Sequence, residues 1–216
     1  MKRIITLLLL IVMSNTLMLG QVTDGYIHFE VKFEDDGLSD QEKAMLPTEA
    51  EMWFSGEQML MRMPSAMGME TKVLTRGDEM YILMDVFGNK MAIKSGKEEM
   101  KKSARKEKSF KVKTVTGETK TIAGYECLKA IMTAEDGEEM VVWFSKSLKV
   151  KSDWYYNMEG IDGFPLEFST SSNGMKFKMI ATEVKTNKPD QQLFVLPSDF
   201  KVMTQAEMQK MFGGMK

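Results

Sequence analysis

The sequence predicts a mainly β chain of the α+β type, in which one large, strongly curved antiparallel sheet packs with one or two covering helices. Residues 26–33, YIHFEVKF, alternate apolar and polar side chains, and residues 175–181 place Met175, Phe177 and Met179 on one face. A period of two is typical of strands with one buried face. Short apolar segments separated by glycine-containing turns predict antiparallel hairpins, which complete the sheet.

The first half of the chain predicts a short helix followed by a meander of strands. Ser39 and Glu42 have the spacing of a capping box, which predicts a helix start after the first strand. Glycines at positions 56, 77 and 88 separate apolar segments and predict hairpin turns between neighbouring strands.

A change of composition marks the middle of the chain. Residues 94–113 contain nine Lys or Arg and three Glu, which predicts an exposed basic connector between two halves of the sheet. Strands resume after it, and Gly124 interrupts one of them, which predicts a bulge or a bend where the curved sheet turns. Residues 189–197 are expected to be extended, and Thr204 with Glu207 predicts the cap of a final helix.

The first twenty residues predict export. Lys2 and Arg3 precede an apolar run over residues 4–13, small or polar residues follow at positions 14–16, and the small residue Gly20 comes before the expected cleavage point. This is the layout of a secretory signal peptide, so we expect cleavage after Gly20 and one mature domain over residues 21–216, located in the periplasm or outside the cell. The alternative is an uncleaved anchor, for which the run is shorter than the roughly 20 residues that a membrane span needs.

Charge and motifs exclude several function classes. The formal net charge is −2, which makes nucleic acid an improbable partner. The sequence contains no G-x-S-x-G or H-E-x-x-H motif, and no P-loop. His28 lies on the polar side of its strand, and Cys127, the single cysteine, is expected to be a buried apolar residue. We therefore expect no enzyme activity and no cofactor.

The 23 methionines admit two interpretations. Met59, Met61 and Met63 share one strand face, and thioether sulfur is a soft ligand suited to Cu(I). However, methionine also recurs on the apolar faces of most other predicted strands, where flexible thioethers form an adaptable apolar surface. Apolar lining is the favoured interpretation, and a methionine-based site for Cu(I) or another soft metal is the alternative.

One set of motifs resembles a known family. The segment IAGYEC at residues 122–127 is followed by Trp143, by Pro165 with Leu166, and by Phe194, Pro197 and Phe200. Over residues 110–203 this pattern resembles an uncharacterised family of secreted bacterial proteins that carry a domain of unknown function. That family is similar in fold to periplasmic lipoprotein carriers of the LolA/LppX-like type. The resemblance implies a half-open antiparallel barrel around an apolar cavity closed by helices, and it implies no catalytic residues.

Together these observations predict a non-catalytic protein that holds a lipid-like or other apolar ligand in a cavity lined by methionine and aromatic side chains. Association with the membrane surface is a further expectation for such a protein. A plain interaction protein with a filled core is the alternative to both binding hypotheses. The candidate lining comes from an early and a late strand: Met80, Ile82, Met84, Met175, Phe177 and Met179.

Overall fold

A computed structural model describes residues 22–34, 37–86, 88–96, 99, 110–150, 158, 160–172 and 175–213. The predicted signal peptide therefore lies outside the described residues. The elements, in chain order, are β1 (Asp24–Phe33), α1 (Asp40–Met45), β2 (Glu49–Ser55), β3 (Gln58–Pro64), β4 (Glu70–Arg76), β5 (Glu79–Val86), β6 (Asn89–Gly96), β7 (Phe110–Ile122), β8 (Tyr125–Ala134), β9 (Glu139–Ser145), β10 (Phe164–Ser172), β11 (Met175–Lys185), a 3₁₀ helix (Gln191–Phe194), β12 (Lys201–Thr204) and α2 (Gln205–Gly213).

All twelve strands form one sheet in the order β12-β6-β5-β4-β3-β2-β1-β11-β10-β9-β8-β7. Two meanders, β1 to β6 and β7 to β11, meet where β1 pairs with β11. The pairing is antiparallel throughout except for β12, which runs parallel to β6. Because β12 and β7 are the two ends of this order, the sheet is open rather than a closed barrel. The predicted class, a mainly β curved half-barrel, is confirmed.

One face of this sheet, here called the inner face, carries the main core. Ile27, Phe29, Met52 and Phe144 are at most 1% exposed and belong to one apolar cluster that includes residues from β1 to β3 and from β8 to β11. Side chains of one face can meet across so many strands because the sheet curls around them. The alternation in β1 and β11 thus indicates correctly which side chains face inward.

The opposite, outer face is covered along β2 to β6 by the segment at residues 189–200. Phe194 of the 3₁₀ helix is 1% exposed and packs with Leu60, Leu74 and Leu83, which point away from the inner face. This segment was expected to be extended, and the 3₁₀ helix is a correction. Asp190 begins the turn, because its side chain accepts a hydrogen bond from the backbone N–H of Gln192.

The helices only partly match the prediction. Both capping boxes are present, at Ser39 with Glu42 and at Thr204 with Glu207. However, α1 buries none of its residues, so it does not cover the sheet as a packed helix. The final helix, α2, lies against β12 and β6 at one edge of the sheet.

Two further predictions need correction. Gly124 does not form a bulge inside a strand: Ala123 and Gly124 have φ values of 47° and 83° and form the two-residue turn between β7 and β8. Left-handed backbone at both positions is what such a tight hairpin requires. The basic connector is also shorter than residues 94–113, because β6 extends to Gly96 and β7 begins at Phe110. Between them, only Glu99 is among the described residues.

Candidate apolar binding face

All six candidate lining residues lie on the inner face. Ile82 pairs with Val73, and Val73 pairs with Met61, which belongs to the main core cluster. On the late strand, Met179 pairs with Val31 and Phe168. Five strand-to-strand steps separate β5 from β11, which corresponds to about 24 Å along the sheet. The two sets of candidates therefore share a face but lie on strands that are far apart in the order of the sheet.

Burial divides the candidates into two kinds. Met179 is 2% exposed and Met80 is 7% exposed, whereas the other four are only partly buried. Met179 lies inside the main cluster, so its surroundings are already filled. Phe177 rests on Phe33 with ring centroids 5.4 Å apart. The partly buried candidates retain most of the surface that a ligand could contact.

The register of β3 to β6, here called the wing, arranges inner-face residues in three rows across the strands. A deep row, a middle row and an open row follow one another along the strands. The deep row is Met59, Thr75, Met80 and Ser95; the middle row is Met61, Val73, Ile82 and Ile93; the open row is Met63, Thr71, Met84 and Met91.

Exposure increases from the deep row to the open row. Every residue of the deep row is at most 7% exposed, and every residue of the open row is partly exposed. On the neighbouring strands, Ala50 of β2 pairs with Phe29 of β1, and both are 0% exposed, so the gradient of exposure belongs to the wing. The inner face of the wing is therefore an apolar surface that is closed at one end and accessible at the other.

The methionines proposed as an alternative metal site each belong to a different row. Met59 and Met61 are 0% and 2% exposed and pack within the main core cluster, while Met63 is partly exposed. Successive residues on one face of a strand are about 6.8 Å apart. Among the described residues there is also no cluster of three or more His, Cys, Asp or Glu side chains that could hold a metal ion.

Cys127 is buried, as expected, and it is 0% exposed. Burial raises the pKa of its thiol to about 11. A thiol that stays protonated near neutral pH is a poor nucleophile and a poor metal ligand. His28 pairs with Thr182 and Glu49, with its Nδ1 2.8 Å from the Thr182 hydroxyl and its Nε2 3.2 Å from the Glu49 carboxylate. These contacts are typical of cross-strand pairs on a sheet surface.

Glu167 is a buried carboxylate on the outer face, where its side chain is 7% exposed. Lys178 donates to it at 2.7 Å, and Lys120 donates to its other oxygen. Burial alone would raise the pKa of this carboxyl, but the two lysines lower it below its ordinary value of 4.5. Because the folded pKa is depressed, this ionised group stabilises the fold above pH 4.5, and the contribution is lost as the pH falls through the folded pKa.

A second concave region lies on the outer face, where an open cleft of about 340 Å³ forms between β1, β2 and the segment after β11. Tyr26 and Trp53 form its aromatic wall, with ring centroids 5.2 Å apart. The Tyr26 hydroxyl donates to Glu51 at 3.2 Å, and burial together with this carboxylate raises the pKa of Tyr26 to about 12. The cleft is lined mainly by polar and charged residues, unlike the inner face.

The sequence indicated the inward-facing residues of β5 and β11 but missed Thr75 and Ser95 in the deep row. The signal was present in TKVLTR, where Thr71, Val73 and Thr75 alternate with polar or outward-facing residues. Met91 of the open row was also outside the candidate list. Its place follows from its pairing with Met84, which depends on the register of the β5–β6 hairpin.

The fold is that of an open, mainly antiparallel sheet curled around an apolar inner face. Within this class, the chain belongs to the family described as domain of unknown function (DUF4412), whose sequence model matches residues 37–154. The match includes the IAGYEC segment and Trp143, but it begins earlier and ends earlier than the resemblance over residues 110–203. None of the curated proteins matches this chain significantly.

Solved structures of similar fold include an uncharacterized conserved protein from Thermus thermophilus, with a TM-score of 0.50, 12% identity, and coverage of 86% of this chain and 93% of that chain. Lipoprotein LppX of Mycobacterium tuberculosis has a TM-score of 0.42, 12% identity, and coverage of 78% and 89%. A LolA superfamily protein of Nitrosomonas europaea has a TM-score of 0.35, 8% identity, and coverage of 81% and 91%. The predicted resemblance to a family with a domain of unknown function is confirmed by the match to the family model.

None of the helices among the described residues is both long enough and apolar enough to span a membrane.

Proposed function

We propose that this protein is exported and that it holds one apolar or lipid-like ligand, without catalysis, against the inner face of the wing. The observation that carries the proposal is the gradient of burial across the three rows. Met63, Val73, Ile82, Met84 and Met91 are neighbours on one face, and all of them are only partly buried. A contiguous apolar surface of this kind is a common feature of ligand grooves.

The residue types suit a ligand of variable shape. Methionine has three rotatable bonds and a polarisable sulfur, so its side chain adapts to flexible apolar molecules. On β3, the middle and open rows are occupied by Met61 and Met63. On β5, the same two rows are occupied by Ile82 and Met84. Three of these four residues are therefore methionines. We therefore place the ligand on the wing, with Ile82 and Met84 as its main contacts.

The other half of the inner face supports a different role. Met179 lies in a cluster with Phe29, Phe144 and Phe168, each at most 1% exposed, and this half acts as an ordinary filled core. Phe177 and Met175 are partly buried and lie toward the open end of β11. They would contact only a ligand long enough to extend beyond the wing.

The export part of the proposal rests on residues 1–20. Their basic start, their short apolar run and the small residue Gly20 before position 21 are features of a secretory signal peptide. The intact mass of protein recovered outside the cytoplasm tests it. We expect a chain that begins at Gln21, and a secreted chain that retains Met1 would contradict cleavage at this site.

Ligand binding is tested with the fluorescent apolar probe N-phenyl-1-naphthylamine. We expect saturable binding by the wild type, with displacement by a long-chain lipid. Met84→Trp adds bulk to the open row, so it should weaken probe binding by about tenfold or more, equivalent to about 1.4 kcal/mol.

Val141→Trp is the matched control, because Val141 is 43% exposed and lies on β9, away from the wing. It should bind the probe like the wild type. The proposal would be wrong if the wild type shows no saturable binding, or if the two tryptophan variants bind equally well.

A further inference from the structure

The deep row contains a buried hydroxyl that the folded chain leaves without a partner. Thr75 is 7% exposed, and its Oγ1 is one of three buried side-chain polar atoms among the described residues that have no hydrogen-bond partner. A buried polar group without a hydrogen bond costs free energy, so such groups are uncommon in folded proteins. An explanation in terms of function is therefore worth testing.

The two cross-strand partners of Thr75 are apolar and uncharged. Across the strands, Thr75 pairs with Met59 on one side and with Met80 on the other, and both lie on the inner face. Met80 in turn pairs with Ser95, whose side chain is also buried. The closed end of the apolar face thus carries two hydroxyl-bearing residues, one on each side of Met80, and no charged residue among these cross-strand neighbours.

The distance along β4 from the open row to Thr75 sets the length of the proposed site. Thr71 and Thr75 are four residues apart on the same face of β4, which corresponds to about 14 Å along the strand. Val73 lies between them and pairs with Ile82. A chain-like molecule that lies along this strand would contact apolar residues over its length and reach the Thr75 hydroxyl with one end.

We propose that the ligand is a neutral amphiphile, such as a long-chain alcohol, ester or ketone, whose oxygen accepts a hydrogen bond from the Thr75 hydroxyl at the closed end of the inner face. This inference rests on the proposed function and specifies the ligand class. An ionised fatty acid is disfavoured, because a carboxylate buried beside Met59 and Met80 would lack a cation to compensate for its lost hydration. A pure hydrocarbon would leave the hydroxyl unsatisfied.

The test compares three competitors of equal chain length in displacing N-phenyl-1-naphthylamine: 1-dodecanol, dodecane and ionised dodecanoate. For the wild type, we expect 1-dodecanol to bind about three- to tenfold more tightly than dodecane, the ratio that one hydrogen bond supplies. Dodecanoate should be the weakest of the three. Thr75→Val keeps the shape of the side chain and removes the hydroxyl, so it should abolish the preference for the alcohol over dodecane.

Two variants serve as controls. Thr71→Val makes the same chemical change on the same strand face, but in the open row, and it should keep the preference for 1-dodecanol. Thr75→Ser keeps a hydroxyl at the deep position and should also keep it. Thr75→Val should in addition unfold at the same or a higher temperature than the wild type without ligand, because it removes an unsatisfied buried group. Loss of preference with retained stability cannot be attributed to misfolding.

The outcomes separate this inference from the proposed function. If 1-dodecanol and dodecane displace the probe from the wild type equally well, the inference is overturned while apolar binding stands. If Thr75→Val and Thr71→Val lose the preference to the same extent, or if dodecanoate binds most tightly, the inference is also overturned. If the wild type does not bind the probe at all, the proposed function itself fails.

Discussion

Replacement of Met179 by tryptophan tests whether half of the inner face is a filled core. Met179 is 2% exposed and pairs with Val31 and Phe168 inside the main cluster, so the larger ring has no free space to enter. Overpacking of this kind costs typically about 1–3 kcal/mol. For a domain of this size, each kcal/mol lowers the melting temperature by about 2–4 °C, so we expect a decrease of about 2–12 °C.

The same substitution at Met84 should behave differently. Met84 is partly exposed in the open row, so its replacement should change the free energy of unfolding by no more than about 0.5 kcal/mol. Urea unfolding of both variants, followed by circular dichroism, gives the two values under identical conditions. If Met179→Trp is as stable as the wild type, the surroundings of Met179 are not filled. If Met84→Trp loses as much free energy of unfolding as Met179→Trp, the open row is packed. Either result would refute the division of the inner face.

Three more predictions concern single groups. Glu167→Gln should lower the free energy of unfolding by about 1–3 kcal/mol at pH 7, because two charge-assisted hydrogen bonds weaken. The difference from the wild type should shrink below pH 4.5, as the wild-type carboxylate is protonated. An equal difference at pH 7 and pH 3 would contradict this. Cys127 should resist thiol reagents in the folded protein and react after denaturation; rapid labelling of the native state would show that it is accessible. Met59, Met61 and Met63 should bind no Cu(I) in competition with a chelator; tight one-to-one binding that the triple leucine variant abolishes would favour the metal hypothesis.

The alternation of side chains predicted most of the fold, because a strand with one buried face imposes a period of two. It assigned the inward residues of β1, β5 and β11 correctly, and the glycines at positions 56 and 77 located two hairpin turns. Hairpins form between neighbours in sequence, so local signals are sufficient to predict them. The pairing of β1 with β11 joins residues such as Val31 and Met179, which are far apart in the chain, and no local pattern indicates it.

The incorrect predictions have the same cause, because each of these features depends on contacts that a local sequence pattern does not reveal. Gly124 was interpreted as a bulge because the sequence gives no sign that Ala123 adopts a left-handed conformation beside it. The 3₁₀ helix at residues 191–194 depends on its contact with the outer face of β3 and β4, which is a tertiary effect. The sequence predicted a cavity lined by residues of β5 and β11, and it did not predict the gradient of burial along the wing, because burial along a strand depends on how the whole sheet curls. The burial of Thr75 therefore does not follow from the sequence pattern.

The most direct test of ligand binding is native mass spectrometry of the protein, purified without detergent from cells that produce it naturally. We predict that a fraction of the molecules carries one neutral, lipid-like adduct, and that the adduct is lost from Met84→Trp but retained by Val141→Trp. If the wild-type protein shows only the mass of the bare chain under conditions that preserve noncovalent complexes, or if the adduct persists equally in both variants, the wing does not hold a ligand and the account is contradicted.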